Sequence, residues 1–186
     1  MRKLRKEPLW NKAKKIILGG NLLLSKRPEM FLPDYWPTYF KKAKGINIWD
    51  LKNRKYIDMI FAVGQSTLGY ANDEVDYEIK KVIRDGNMCT LNSSEEVKLA
   101  TNLLKLHPWA GMAKFARSGG EANAIAIRIA RSASKKDHVA ICGYHGWHDW
   151  YLSINLNSKN GLKDHLLPGL EPLGVPKALK NTVHTF

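Results

Sequence analysis

The chain has 186 residues, of which 44% are hydrophobic, a length and apolar share suited to one soluble globular domain with at most a small amino-terminal subdomain. Its formal net charge is +13, and the excess is uneven: residues 1–55 hold 15 Lys/Arg against 4 Asp/Glu, and residues 56–186 hold 15 against 13. Two cysteines, Cys89 and Cys142, are too few for a disulfide framework and suit a reducing cytoplasm, and no apolar run is long enough to span a bilayer.

In chain order, Leu9–Leu18 reads as an amphipathic helix with Leu9, Trp10, Ala13, Ile16 and Ile17 on one side, stopped by Gly19-Gly20. The densest positive charge, Arg2, Lys3, Arg5, Lys6, Lys12, Lys14 and Lys15, falls in and before it. The run Ile16–Leu24 is interrupted by the glycine pair and Asn21, and no small-residue cleavage site follows, so it does not read as a signal peptide. Asn21–Tyr39 carries Pro28, Pro33 and Pro37 and reads as irregular. Gly45–Trp49 and Lys55–Ile60 are expected as strands joined by a turn at Asp50–Arg54, with Gly64–Tyr70 as loop. Asn72 caps an expected helix running to Arg84 and closed by Asp85-Gly86-Asn87. Ser93 with Glu96 forms a capping box for another, ending near Leu106.

The most telling stretch is Ser118-Gly119-Gly120-Glu121-Ala122. It lies between a strand candidate, Ala113–Arg117, and an alanine- and isoleucine-rich helix. A glycine turn entering a helix leaves bare N–H groups and a positive dipole end for an anion, and glycines let a phosphate approach the backbone. The same residues also satisfy a capping box between Ser118 and Glu121, which needs no ligand. Downstream come a second strand candidate, His138–Cys142, and the run Gly143-Tyr144-His145-Gly146-Trp147-His148-Asp149-Trp150. Residues 113–142 have the length of one right-handed β–α–β crossover, and ligands in such sheets gather at strand carboxyl ends. In the crossover helix, Ala122, Ala126 and Ala130 form a small-residue stripe for close packing on a sheet, with Arg128 and Arg131 facing outward. Beyond Trp150 the order is irregular, with Pro168, Gly169, Pro172, Gly174 and Pro176 marking a long loop.

Three blocks carry a resemblance: Ser118–Asn123, Tyr144-His145-Gly146-Trp147, and the upstream set Asp50, Tyr56, Ile57, Asp58, Gly64, Leu68, Gly69 and Tyr70. In order and spacing they resemble the class III pyridoxal-phosphate aminotransferases, and most closely the branch of glutamate-1-semialdehyde aminomutase, from about Ala13 to at least His148. The resemblance implies an α/β, fold-type-I fold: an incomplete large domain of three α/β/α layers (residues 71–186), preceded by an amino-terminal segment with a β-hairpin (residues 1–70). It implies pyridoxal 5′-phosphate as cofactor, with Ser118, Gly119 and Gly120 as the phosphate loop, Tyr144 stacked on the pyridine ring and His145 shaping the same wall. Gly120 stands where the family usually has threonine, which removes one hydroxyl contact. Arg27 lies where related enzymes hold a substrate carboxylate, and Val63 where the aminomutase has a tryptophan beside its substrate. The resemblance further implies small-molecule amino donors and acceptors, a homodimer, and a cytoplasmic location. Family members run to more than twice this length. Their Schiff-base lysine and the aspartate at the pyridine nitrogen belong to the later portion, expected beyond Phe186, so no catalytic residue is assigned here and the 186 residues alone are expected to be inactive.

Other readings are weaker. His145, His148 and Asp149 lack the common zinc spacings, so no metal is expected. Ser118 has no G-x-S-x-G elbow for a hydrolase triad with His145 and Asp149. The basic amino-terminal third suits either a solvated helix face or a nucleic-acid partner. No aromatic-interleaved RNA motif or zinc-finger spacing accompanies it, so neither nucleic acid nor membrane is an expected partner. A noncatalytic remnant of the fold, acting through interaction, is the alternative from another class.

Overall fold

Proline and glycine set the limits of the first helix in the computed structural model, which describes residues 8–33, 35–156 and 171–186. Arg2, Lys3, Arg5, Lys6, Pro168 and Gly169 lie outside the described residues. The chain divides into two compact units, Met1–Leu91 and Asn92–Phe186.

In the first unit, α1 (Pro8–Ile16) starts on proline and buries Trp10 and Ala13, while Lys12, Lys14 and Lys15 face solvent. It unwinds through Gly19 and Gly20, both at positive φ. A Cβ at Gly20 would come within 2.5 Å of the Trp10 ring, and one at Gly19 within 2.0 Å of Arg27 Nη2, so only glycine lets the following segment fold back here. That segment has two short 3-10 turns, Leu24–Lys26 and Pro28–Met30. It is tied to α1 where Trp10 Nε1 donates to Glu29 Oε1 at 2.9 Å. Burial raises the Glu29 pKa, but the Trp10 hydrogen bond, its own backbone N–H and the Lys14 and Arg27 charges outweigh it, and the net shift is downward.

A three-stranded antiparallel sheet follows, in the order β1 (Phe40–Lys44), β2 (Asn47–Asp50), β3 (Lys55–Ile57). The sequence pattern anticipates β2 and β3 but not β1, whose Phe-Lys-Lys-Ala-Lys run has no apolar alternation. Tertiary contact supplies the missing reason. Lys42, Trp49 and Lys55 are cross-strand partners, and the two ammonium groups stand 5.1 and 5.7 Å from the Trp49 ring. Lysines on an edge strand also discourage further strand pairing.

The upstream block that carries the resemblance is the polar skeleton of this unit. Asp50 is 1% exposed. Its carboxylate accepts the N–H groups of Lys52 and Arg54 at 2.9 Å each, Arg54 Nε at 2.6 Å and the Tyr56 hydroxyl at 3.2 Å. Asp58 accepts the N–H groups of Ile60 and Phe61 and the Tyr70 hydroxyl. Gly45 and Tyr70 form an antiparallel bridge, and a Cβ at Gly69 would sit 3.1 Å from the Gly45 Cα. Between these anchors Phe61, Ala62 and Val63 take φ of 50°, 50° and 61°, a left-handed run that residues with a Cβ avoid unless held. Helix α2 (Asp73–Asp85) is capped as expected: Asn72 accepts the N–H groups of Glu74 and Val75, and Gly86 ends it at φ 95°.

In the second unit α3 (Ser94–Leu106) starts at Ser93, but the cap differs from the expected box. Ser93 Oγ accepts the Glu95 N–H at 3.2 Å, and the Glu96 N–H turns to the Ser93 carbonyl. Ala113–Arg117 is not a strand; it takes no regular structure and pairs with no strand among the described residues. Apolar composition alone does not make a strand, because its backbone groups need a ladder partner. After α4 (Gly119–Ser134), β4 (Val139–Ile141) pairs instead in parallel with β5 (Val183–Thr185), and α5 (Asp149–Leu152) lies between them in sequence. Ile141, Trp150, Tyr151, Ile154 and Val183 form the core, with Ala124 and Ile127 of α4 packed against it. The core-facing residues of α4 are therefore Ala124 and Ile127, not Ala122, Ala126 and Ala130, which are exposed. Arg131, expected to face outward, is partly buried, and its Nε donates to the Asp137 carbonyl at 2.8 Å. Cys89 and Cys142 are free thiols and exposed.

Candidate functional site

The first turn of α4 is built around its cap. Ser118, with extended backbone (φ −140°, ψ 158°), accepts the Glu121 N–H on its Oγ at 3.3 Å. Glu121 Oε2 reaches back to the Arg117 N–H at 2.9 Å. The capping box is thus realised in part, and it consumes the amide of the third helical residue. The N–H groups of Gly119 and Gly120 belong to the turn that no intrahelical carbonyl can serve, and among the described residues they have no hydrogen-bond partner at the positive end of a 16-residue helix. Capping and anion binding are compatible here because they use different amides.

A second element closes on this mouth. Gly146, at φ 109°, presses against α4 so tightly that a Cβ there would stand 3.1 Å from the Gly120 Cα. Asn123 Nδ2 donates to the His145 carbonyl at 3.3 Å, adding a second tie between loop and helix. The two sequence blocks, Ser118–Gly120 and Tyr144–Gly146, are therefore brought together by a glycine-on-glycine contact. Tyr144 is 48% exposed and meets Tyr151 edge-on at 5.7 Å between centroids. Burial raises the Tyr144 pKa, partly offset by a hydrogen bond with Trp147, so it is a neutral phenol at ordinary pH. His145 is partly buried, with Nε2 hydrogen-bonded to the Cys142 carbonyl at 2.8 Å and its ring near Trp150 and Tyr151. It braces the loop.

Arg27 belongs to the first unit, where its guanidinium lies against Gly19 and its Nε is buried without a hydrogen-bond partner among the described residues. A cavity of about 550 Å³ runs beside α4 among Arg128, Arg131, Trp147, His148 and Trp150; Gly119, Gly120 and Tyr144 are not part of its lining. Among the described residues no group of three His, Cys, Asp or Glu side chains could hold a metal ion, and no helix is long and apolar enough to cross a membrane.

The family model for class-III aminotransferases matches residues 33–183. The chain belongs to the class-III aminotransferase family. It is 34% identical over 151 residues to the 3-aminobutyryl-CoA aminotransferase of Cloacimonas acidaminovorans (strain Evry), covering 81% of this chain and 36% of that protein. It is 33% identical over 182 residues to the glutamate-1-semialdehyde 2,1-aminomutase of Methanocaldococcus jannaschii, covering 96% of this chain and 40% of that one. Among solved structures, the PLP internal aldimine form of the Sphingopyxis sp. MTA144 FumI protein superposes with a TM-score of 0.76 at 26% identity, covering 98% of this chain and 40% of that chain. This class-III chain thus has the α/β, fold-type-I architecture of the transaminases and spans about two fifths of the length of these relatives.

The α4 mouth fits a phosphorylated aromatic cofactor. A Cβ built at Gly119 meets nothing within 4 Å, so the space beside that amide is open. A half-exposed phenol ring stands on the loop that packs against the same turn. Sequence reasoning missed one neighbour of this mouth. His148 lies with its Cδ2 and Nε2 at 3.0 and 3.1 Å from where a Gly120 Cβ would be. The glycine standing in the usual threonine position was the signal that another side chain could fill that room.

Proposed function

We propose that the open amides of Gly119 and Gly120, with Ser118 beside them, hold the phosphate of pyridoxal 5′-phosphate. Tyr144 stacks on its ring and His145 fixes the loop that carries Tyr144. When bound, this cofactor supplies the electron sink for amino-group chemistry at the carbon bearing the amine. The residues of this chain bind and orient it: the helix dipole and bare N–H groups neutralise phosphate charge, and the tyrosine ring sets the plane of the pyridine. Family membership supports amino-group transfer between an amino acid or amine and a carbonyl compound, or the intramolecular exchange of an aminomutase. Arg27 is the candidate for a substrate carboxylate, as the resemblance implies. A homodimer as the working assembly and a cytoplasmic location belong to the same reading and are what the resemblance implies. The resemblance places the cofactor-bearing lysine outside these 186 residues, so the chain tested alone binds the cofactor weakly and does not transaminate.

The observation that carries this reading is the pair of unserved amides under the Gly146 contact. Gly119→Val tests it, because the open space accepts the side chain without disturbing the fold while the phosphate loses its seat. Titration with pyridoxal phosphate, followed by absorbance and tryptophan fluorescence, is expected to show at least about a tenfold loss of affinity. Unchanged affinity would place the phosphate elsewhere.

A further inference from the structure

His148 stands at the phosphate corner without a task that the fold requires of its ring. Its backbone is pinned as the residue preceding α5: its carbonyl accepts the N–H groups of Tyr151 at 2.9 Å and Leu152 at 3.0 Å. The next two residues but one, Trp150 and Tyr151, are buried and anchor that turn. The imidazole itself is exposed and has no hydrogen-bond partner among the described residues. It is nonetheless closely placed, since its Cδ2 and Nε2 approach the Gly120 Cβ position to 3.0 and 3.1 Å. Contacts that short are tighter than an ordinary Cβ contact, so a side chain at 120 would require this ring to shift. At position 120 the resemblance expects threonine, whose hydroxyl would lie on this flank of the helix mouth.

We propose that His148 supplies the phosphate contact that a hydroxyl at position 120 would otherwise make, so that Gly120 and His148 are an exchangeable pair. An imidazole N–H is a hydrogen-bond donor for a phosphate oxygen, and in its charged form it adds attraction to the dianion. Gly120 is then required by the histidine as well as by close approach of the backbone. His148 follows two residues after Gly146 and stands against the same Gly120. This inference rests on the phosphate reading given under Proposed function.

The test uses the full chain and two probes, pyridoxal phosphate and pyridoxal, which differ only in the phosphate. His148→Ala is expected to weaken pyridoxal phosphate about tenfold and leave pyridoxal unchanged, a contrast that a purely structural role would not produce. Gly120→Thr alone, forced against the imidazole, is expected to weaken the phosphate ester as much. Gly120→Thr combined with His148→Ala is expected to recover binding to within about threefold of the unsubstituted chain. Should His148→Ala fail to fold by circular dichroism, His148→Leu, which keeps bulk but has no N–H donor, is read in its place with the same expected contrast between the two probes. Equal weakening of both probes, no weakening, or a double variant no better than His148→Ala overturns the proposal. If Gly119→Val abolishes binding while His148→Ala does not, only the role of His148 falls. If the unsubstituted chain binds no pyridoxal phosphate, or Gly119→Val leaves its affinity intact, the phosphate corner and the histidine fall together.

Discussion

The corner around Asp50 and the mouth of α4 use the same materials, a carboxylate and backbone amides, and end in opposite states. At Asp50 a carboxylate that is 1% exposed takes two N–H groups, a guanidinium and a phenol. At Asp58 the pattern repeats, with two N–H groups and the Tyr70 hydroxyl. At α4 the carboxylate of Glu121 is spent on Arg117, one amide is spent on Ser118, and the amides of Gly119 and Gly120 are left over beside an open space. Saturated polar groups hold a fold, and groups left unserved at a helix start are available to a ligand. That difference separates two blocks that look equally motif-like in the sequence.

If Asp50 is structural, its loss is the costliest single change. Asp50→Ala removes the acceptor of Arg54 Nε and of two backbone N–H groups, and is expected to destabilise the first unit by about 3 kcal/mol, read by urea titration. A cost under about 1 kcal/mol would remove the contrast with α4. Acid and alkali probe the same skeleton. Burial raises the pKa of both Asp50 and Asp58, but their hydrogen bonds outweigh it and the net values are lowered. Their stabilisation is therefore complete above the unfolded carboxylate range and is lost as pH falls through the lowered folded values, below about pH 4. Tyr70 is shifted up by burial and by Asp58, so its contribution is full below about pH 10 and is lost as pH rises through its raised value. Near-ultraviolet circular dichroism is expected to show a plateau between these limits; loss of signal inside the plateau would contradict the assignment.

On the other side of the comparison, Gly146→Val adds a Cβ 3.1 Å from the Gly120 Cα at φ 109°. It is expected to cost about 2 kcal/mol and to release the Tyr144 loop, so pyridoxal phosphate binding falls more than stability does. Binding that survives intact would mean the loop is not part of the site. The smallest effect is expected at the cap. Ser118→Ala removes one 3.3 Å hydrogen bond and is expected to cost about 1 kcal/mol in thermal unfolding, with affinity reduced only slightly because the amides of Gly119 and Gly120 remain. A loss of affinity as large as that of Gly119→Val would make the serine hydroxyl, not the amides, the main phosphate donor.

Local chemistry was legible wherever it acts over a few residues. The Asn72 and Ser118 caps, the Gly86 stop, the Asp50–Arg54 turn and the glycine break after α1 all follow from neighbours in sequence, because caps and turns are satisfied within one turn of chain. The candidate phosphate loop was legible for the same reason. What could not be read locally depended on a distant partner. Phe40–Lys44 becomes a strand because Trp49 lies across from Lys42. Ala113–Arg117 forms none because no ladder among the described residues reaches it. Which alanines of α4 face the core depended on Ile141, Trp150 and Val183, and the meeting of Gly120 with Gly146 and His148 is a contact between residues some 26–28 positions apart. Hydrogen-bond demand is written residue by residue along the chain, whereas excluded volume and strand pairing exist only once separate segments have been folded against each other.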